Sequence, residues 1–195
     1  MSYAEKFLKS RGKLCSIART PIVTSYVSMK RSSKSTNNTG IRDAAWEGLI
    51  LADAGLASGE VFSIGSSEYL VQSVDNDSSS REDIFFCVKT NADLMHKRFV
   101  ETVDENHNVV QQWQVQVSSV PAFGQIVTAN LRQEDPGLLD ATKYVFQIPK
   151  FSNSISAVAL DRMVYDGSNF QVESVDNTGL RGISRVQLST DTRPD

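Results

Sequence analysis

The chain is poor in the residues from which most active sites are built. Its 195 residues include two histidines, His96 and His107, and two cysteines, Cys15 and Cys87. Neither histidine stands at a metal-ligand spacing from another His or Cys, and the cysteines form no C-x-x-C pair. A Gly-x-Ser-x-Gly elbow, a Walker loop and a dinucleotide fingerprint are all missing. The expectation is a protein that is not an enzyme, with no catalytic residue, metal or cofactor to assign. No apolar run approaches the roughly 18–20 residues that cross a bilayer. The opening Met1-Ser2-Tyr3-Ala4-Glu5-Lys6-Phe7-Leu8 lacks the long apolar centre of a signal peptide. Residence in a cytosol, without membrane, is expected. Both cysteines lie in apolar, strand-like runs and read as buried fillers rather than a bridge.

An excess of either charge is also lacking, with 20 Lys and Arg against 23 Asp and Glu. A formal net charge of −3 gives no general pull toward nucleic acid or an anionic surface. The one basic cluster, Lys30, Arg31, Lys34 and Arg42, sits in a stretch (30–43) with almost no apolar content. It carries no aromatic for base stacking, so it reads as a solvated loop or an assembly arm rather than a base-reading face. Non-specific contact with a passing duplex is a weaker demand and stays open.

What is present is strand pattern, written twice. Gly65-Ser66-Ser67-Glu68-Tyr69-Leu70-Val71-Gln72-Ser73-Val74-Asp75-Asn76 returns as Gly167-Ser168-Asn169-Phe170-Gln171-Val172-Glu173-Ser174-Val175-Asp176-Asn177, aligned with Ser67 as one extra residue. Val88-Lys89-Thr90-Asn91 echoes Leu188-Ser189-Thr190-Asp191, and Gly12–Ile17 faintly echoes Gly124–Ala129. Such a spacing is too long for a solenoid repeat and indicates two related β-domains in tandem. Asp75 and Asp176 recur at matched positions, where Asp-Asn closes an Asx-turn rather than forming a carboxylate pair.

Many short β-branched or aromatic runs with turns every 8 to 12 residues predict small barrels or sandwiches. The fold expected is mainly β: two tandem small β-barrel/sandwich domains, a short N-terminal helix and one further short helix. The helix at 1–11 places Tyr3, Phe7 and Leu8 on one face for docking. The second helix is expected from Asp43 to Gly55, with Ala44, Ala45, Trp46, Leu49 and Ile50 as its apolar face. Domain bounds are 12–104 for the first barrel, 105–119 for a linking strand and boundary, and 120–195 for the second barrel. His96 beside Lys97-Arg98 reads as a solvated basic corner, Asp161-Arg162 as a surface ion pair or partner-positioning pair, and the tail from Thr190 as loose. Trp46 and Trp113 are the aromatic candidates for interface anchors.

Leu160-Asp161-Arg162-Met163-Val164-Tyr165-Asp166-Gly167-Ser168-Asn169-Phe170-Gln171-Val172-Glu173-Ser174-Val175-Asp176, with the following hairpin ending Leu188-Ser189-Thr190-Asp191, resembles the small head–tail joining proteins of tailed bacteriophages. The resemblance covers roughly 120–191, and more weakly 12–91 through the repeat. The first copy departs from it, with Ser58-Gly59-Glu60 aligned against Leu160-Asp161-Arg162. It implies a structural virion protein of the neck (head completion, connector). Six or twelve copies would form a ring between portal and tail proteins, with the tail terminator beyond. That ring would line the channel for double-stranded DNA, and its subunits would be made in the host cytoplasm. Candidate assembly residues are Tyr3, Phe7, Lys30, Arg31, Lys34, Arg42, Trp46, Trp113, Asp161 and Arg162. The alternatives are a tail-completion or baseplate adaptor, and a small β-barrel ligand-binding module.

Overall fold

The structure is a computed structural model describing residues 3–32, 44–76, 81–103, 106–150 and 156–194, with side chains from residue 5 onward. Helix α1 (Tyr3–Arg11) leads into β1 (Lys13–Ile17), β2 (Val23–Arg31), β3 (Ala45–Leu51), β4 (Val61–Ile64), β5 (Ser67–Asp75) and β6 (Glu82–Lys89). These six strands close into a barrel in the order β1-β2-β3-β6-β5-β4. Strands β7 (Ala92–Val103), β8 (Val109–Ile126), β9 (Tyr144–Pro149), β10 (Arg162–Tyr165), β11 (Ser168–Asp176) and β12 (Ile183–Thr190) close into a second barrel, with helix α2 (Ala129–Glu134) between β8 and β9. Followed from β7, its order is β7-β8-β9-β12-β11-β10, the first barrel's circuit with each strand replaced by its counterpart. The chain is thus mainly β, two six-stranded barrels in tandem, with a short N-terminal helix and one further short helix.

The repeat is tighter than its sequence alignment suggests. In the β4–β5 hairpin Val61, Phe62, Ser63 and Ile64 face Leu70, Tyr69, Glu68 and Ser67. In β10–β11, Arg162, Met163, Val164 and Tyr165 face Gln171, Phe170, Asn169 and Ser168. The two hairpins therefore superpose in register with no extra residue. Gly65 is equivalent to Asp166, not to Gly167. Both two-residue turns begin at positive φ (Gly65 59°, Asp166 47°), and Gly167 adds a second at 71°. Positive φ at the first position alone fits a II′ turn, and at both positions an I′ turn, which explains how unlike residues serve the same loop. In both copies a bulge follows, between Val71 and Ser73 and between Val172 and Ser174.

That bulge decides which side chains face inward. A strict period of two would place Ser73 beside Tyr69 and Val71 on one face. The extra residue shifts the phase, so Val74 packs against the core and Ser73 is exposed. The first core gathers Cys15, Ile17, Phe62, Tyr69, Val71, Phe85 and Cys87; the second gathers Leu94, Phe146, Met163, Phe170, Val172, Val186 and Leu188. Burial pushes both thiols up from their ordinary value, and both are free.

Several expectations about the elements and their boundaries need correction. The stretch from Asp43 to Gly55 is not helical beyond Ala52–Ala54: its core is strand β3, laddered to β2 on one side and β6 on the other. Two rows of ladder hydrogen bonds override the helical spacing of Ala45, Trp46, Leu49 and Ile50. The further helix is instead α2, capped by the Thr128 hydroxyl, which accepts from Leu131 N–H. The boundary also moves. Compact units divide as Met1–Asn91 with Asn177–Ile183, and Ala92–Asp176 with Ser184–Asp195. Residues 92–103 thus belong to the second barrel, and the described part of 105–119 holds much of the return strand of its β7–β8 hairpin rather than a linker. The counterpart of β1 is β7, so the echo at Gly124 is not the start of the second copy.

Candidate functional site

The repeat carries a polar fastening as well as a shape. Gly59 N–H and Val71 N–H exchange bonds with Val71 and Glu60 carbonyls; Leu160 and Val172 N–H do the same with Val172 and Asp161 carbonyls. This makes Glu60 the counterpart of Asp161. Each acid caps a backbone N–H three residues before it, Ala57 in the first barrel (2.8 Å) and Val158 in the second (2.9 Å). Each also accepts from an arginine whose Nη2 donates to a backbone carbonyl as well: Arg19 to Glu60 (2.6 Å) and the Gly55 oxygen, Arg98 to Asp161 (2.7 Å) and the Ser156 oxygen. The residue before the acid lies at positive φ both times. Gly59 (87°) does so freely, whereas Leu160 (73°) does so against the preference of its side chain.

In the second barrel the fastening is tighter. Arg98 Nε reaches Asp161 Oδ1 at 2.9 Å, completing a two-pronged pair, and His96 Nε2 lies 2.8 Å from Oδ2. His96 is 1% exposed and Asp161 3%. Burial alone would raise the Asp161 pKa; the Arg98 and His96 hydrogen bonds and the Val158 N–H outweigh it and hold it at about 2. An ionised carboxylate only accepts, so Nε2 is the ring nitrogen carrying a proton toward it. His96 and Arg98 are therefore structural groups, not a solvated corner.

Asp161 and Arg162 do not pair. Asp161 turns to Arg98 and His96, and Arg162, the first residue of β10, turns to Asp191 (Nε–Oδ2 2.7 Å) and the Arg193 carbonyl (2.8 Å). Arg162 is fully buried. Its guanidinium lies 3.9 Å from the Trp113 ring centroid, Arg193 lies 4.8 Å from it, and Trp113 Nε1 donates to the Pro194 carbonyl at 3.0 Å. Desolvation would raise Asp191, but hydrogen bonds from Arg193 and Arg162 hold it at about 2. Residues 191–194, expected to be loose, are clasped. Trp46, the other aromatic candidate, packs into the first core edge-on to Tyr69, with Arg31 5.8 Å from its ring. Both tryptophans are engaged within the chain.

Among the described residues, two accessible surfaces group several exposed apolar side chains. In the first barrel, α1 inserts Leu8 while Phe7 stays exposed, so its apolar residues do not share one buried face. Phe7, Leu49, Ile84 and Phe86 line a groove of about 540 Å³, with Ser28, Lys30 and Glu47 beside them. Lys30 pairs with Glu47 at 2.9 Å, the lysine side chain 78% exposed and the glutamate 19%. In the second barrel, β7 and β8 leave the sheet as a ribbon. β7 meets β10 only at Met95–Lys97, and β8 meets β9 only from Phe123 to Ile126. Bulges between Leu94 and His96 and between His96 and Lys97 mark the departure. From Arg98↔Gln114 to Val103↔Val109 the strands ladder to each other and, among the described residues, to no third strand. At roughly 3.4 Å per residue this arm is about 17 Å long. One of its faces carries Val115, the Phe99–Trp113 pair, the hydrogen-bonded Glu101 and Gln111 (2.6 Å), and Val103 opposite Val109. Both valines are 65% exposed.

Of the candidates read from the sequence, Phe7 and Lys30 share the groove, Arg31 and Trp46 meet at the end of the β2–β3 ladder without lining it, and Trp113 stands at the arm's base. Asp161 and Arg162 are buried and cannot face a partner. Tyr3 opens α1; the stretch read as a loop from Lys30 begins instead as the end of strand β2, where Lys30 and Arg31 pair with Glu47 and Trp46, and Lys34, Arg42 and the rest of it (33–43) lie outside the described residues. Sequence reading missed the arm as a projection, although the Gln/Val alternation from Val109 to Val117 was its signal. Among the described residues no three or more His, Cys, Asp or Glu stand together to hold a metal, and no helix is long and apolar enough to cross a membrane.

No protein-family model matches the chain, and no curated protein matches it. Among solved structures, the MrkH–c-di-GMP complex of K. pneumonia aligns over 97% of this chain and 83% of that one, at 8% identity and a TM-score of 0.16, too low to indicate a shared fold.

Proposed function

We propose that this chain is a structural assembly subunit, and specifically a neck protein of a tailed phage that joins head to tail through a ring of copies. The observation that carries the assembly reading is the β7–β8 arm. An isolated two-stranded ribbon is marginal in water, and this one presents Phe99, Val103, Val109 and Val115 to solvent. Such a surface is suited to burial against a partner. The apolar groove beside Phe7 supplies a second surface of the same kind. The hairpin resemblance to head–tail joining proteins directs the reading to the virion neck, with portal and tail proteins as partners and packaged DNA inside the ring.

Mass photometry of the purified protein, alone and with portal particles, tests it. Ring-sized species, or added mass on the portal, are expected. A persistent monomer that ignores both portal and tail removes the neck reading.

A further inference from the structure

We propose that the arm of one copy docks in the Phe7–Phe86 groove of a second copy, making a head-to-tail contact. The inference deepens the assembly reading and rests on it. A projecting apolar element and a recessed apolar surface occur on the same chain, so identical copies can satisfy both without a foreign partner. The arm's apolar face ends in Val103 and Val109, which are among the most exposed large apolar residues described. The groove is lined by Phe7, Leu49, Ile84 and Phe86, and its volume of about 540 Å³ accepts several side chains. The charges agree as well. Between Phe99 and Val103 the arm's apolar face carries one charged residue, Glu101. The accessible charge at the groove is Lys30, because its partner Glu47 is largely covered. An acid on the arm therefore meets a lysine at the groove, which fixes orientation more than it adds affinity.

Donor and acceptor surfaces differ, so the contact is heterologous. Repeating it yields a ring if the rotation closes and a filament if it does not. An isologous dimer would instead use one patch on both copies.

That distinction sets the experiment. One variant blocks the arm (Val103→Asp with Val109→Asp); the other blocks the groove (Ile84→Glu with Phe86→Glu). All four residues are exposed, and thermal melts verify that each variant is folded; if a double substitution unfolds, Val109→Asp or Phe86→Gln alone is read in its place. Sedimentation velocity is expected to show wild-type protein associating with concentration, and each variant self-associating at least tenfold more weakly. An equimolar mixture is expected to give heterodimers and nothing larger, since it holds one working arm and one working groove. A monomeric wild type, folded variants that still self-associate, or a mixture that stays monomeric overturns the proposal. The portal experiment reads separately: mass added to portal particles with a negative mixing result keeps the neck reading and removes the arm-in-groove contact.

Discussion

Asp161 and Asp191 show how far a single side chain's surroundings can commit it. Each carboxylate is removed from water, which by itself favours protonation, and each is returned to the ionised form by arginine. Their folded values of about 2 lie below the roughly 3.9 of an unfolded aspartate. For a depressed carboxylate the stabilisation is fully present above the unfolded value and is lost as pH falls through the folded one. Each is worth about 2–3 kcal/mol at neutral pH by linkage. The second barrel is therefore expected to lose stability steadily between about pH 4 and pH 2. Urea melts at stepped pH check this. Asp161→Asn should lower stability at pH 7 and flatten the slope below pH 4; an unchanged slope would show that the carboxylate is not held as described. Leu160 is the cost beside this gain. Its positive φ keeps Asp161 aimed at Arg98, in the place where the first copy uses Gly59.

At the scale of elements, the ladders decide which sequence patterns are obeyed. The hairpins at Gly65 and Gly167 were legible because turn residues and β-branched alternation agree there with the fold. The phase of β5 and β11 after Val71 and Val172 was not, because a bulge adds a residue to one strand without marking it in composition. The same inserted-gap reading at Ser67 hid the equivalence of Glu60 and Asp161, and with it the arginine fastening. Arg98 lies 63 residues from Asp161, so nothing local announces the pair. β3 was misread because Trp46, Leu49 and Ile50 suit a helix face until β2 and β6 claim the backbone. Glycine within a strand has a clearer meaning. A Cβ on Gly124 would come within 2.0 Å of the Phe146 ring on the neighbouring strand β9, so the ring lies over the space a side chain would fill. Gly124→Val is expected to cost at least about 1–3 kcal/mol, the usual range for overpacking. Chemical denaturation would detect it, and a midpoint equal to wild type would show that Phe146 can swing aside freely.

For the whole molecule, the expectation of two barrels in tandem rested chiefly on one repeated hairpin, with fainter echoes and the spacing of short β runs beside it, and the matched strand order extends it to every strand. What the hairpin could not locate was the seam. β7 and β8 pair over so long a run that composition changes nowhere near Asn91, and the boundary inferred at 105–119 fell on the arm. Two circuits with two separate apolar clusters imply that each barrel answers to its own core. Val71 and Val172 occupy the same place in each, both fully buried. Replacing either by Asp forfeits about 1.5–3 kcal/mol of apolar burial and adds the larger cost of an unpaired buried carboxyl. Amide hydrogen exchange read by mass spectrometry is expected to localise the damage. Val172→Asp should strip protection from β10–β12 while β4–β6 keep theirs, and Val71→Asp should do the reverse. Loss of protection in both sets from either substitution would mean that the barrels unfold as one cooperative body. The repeat would then be a likeness of plan without independence of stability.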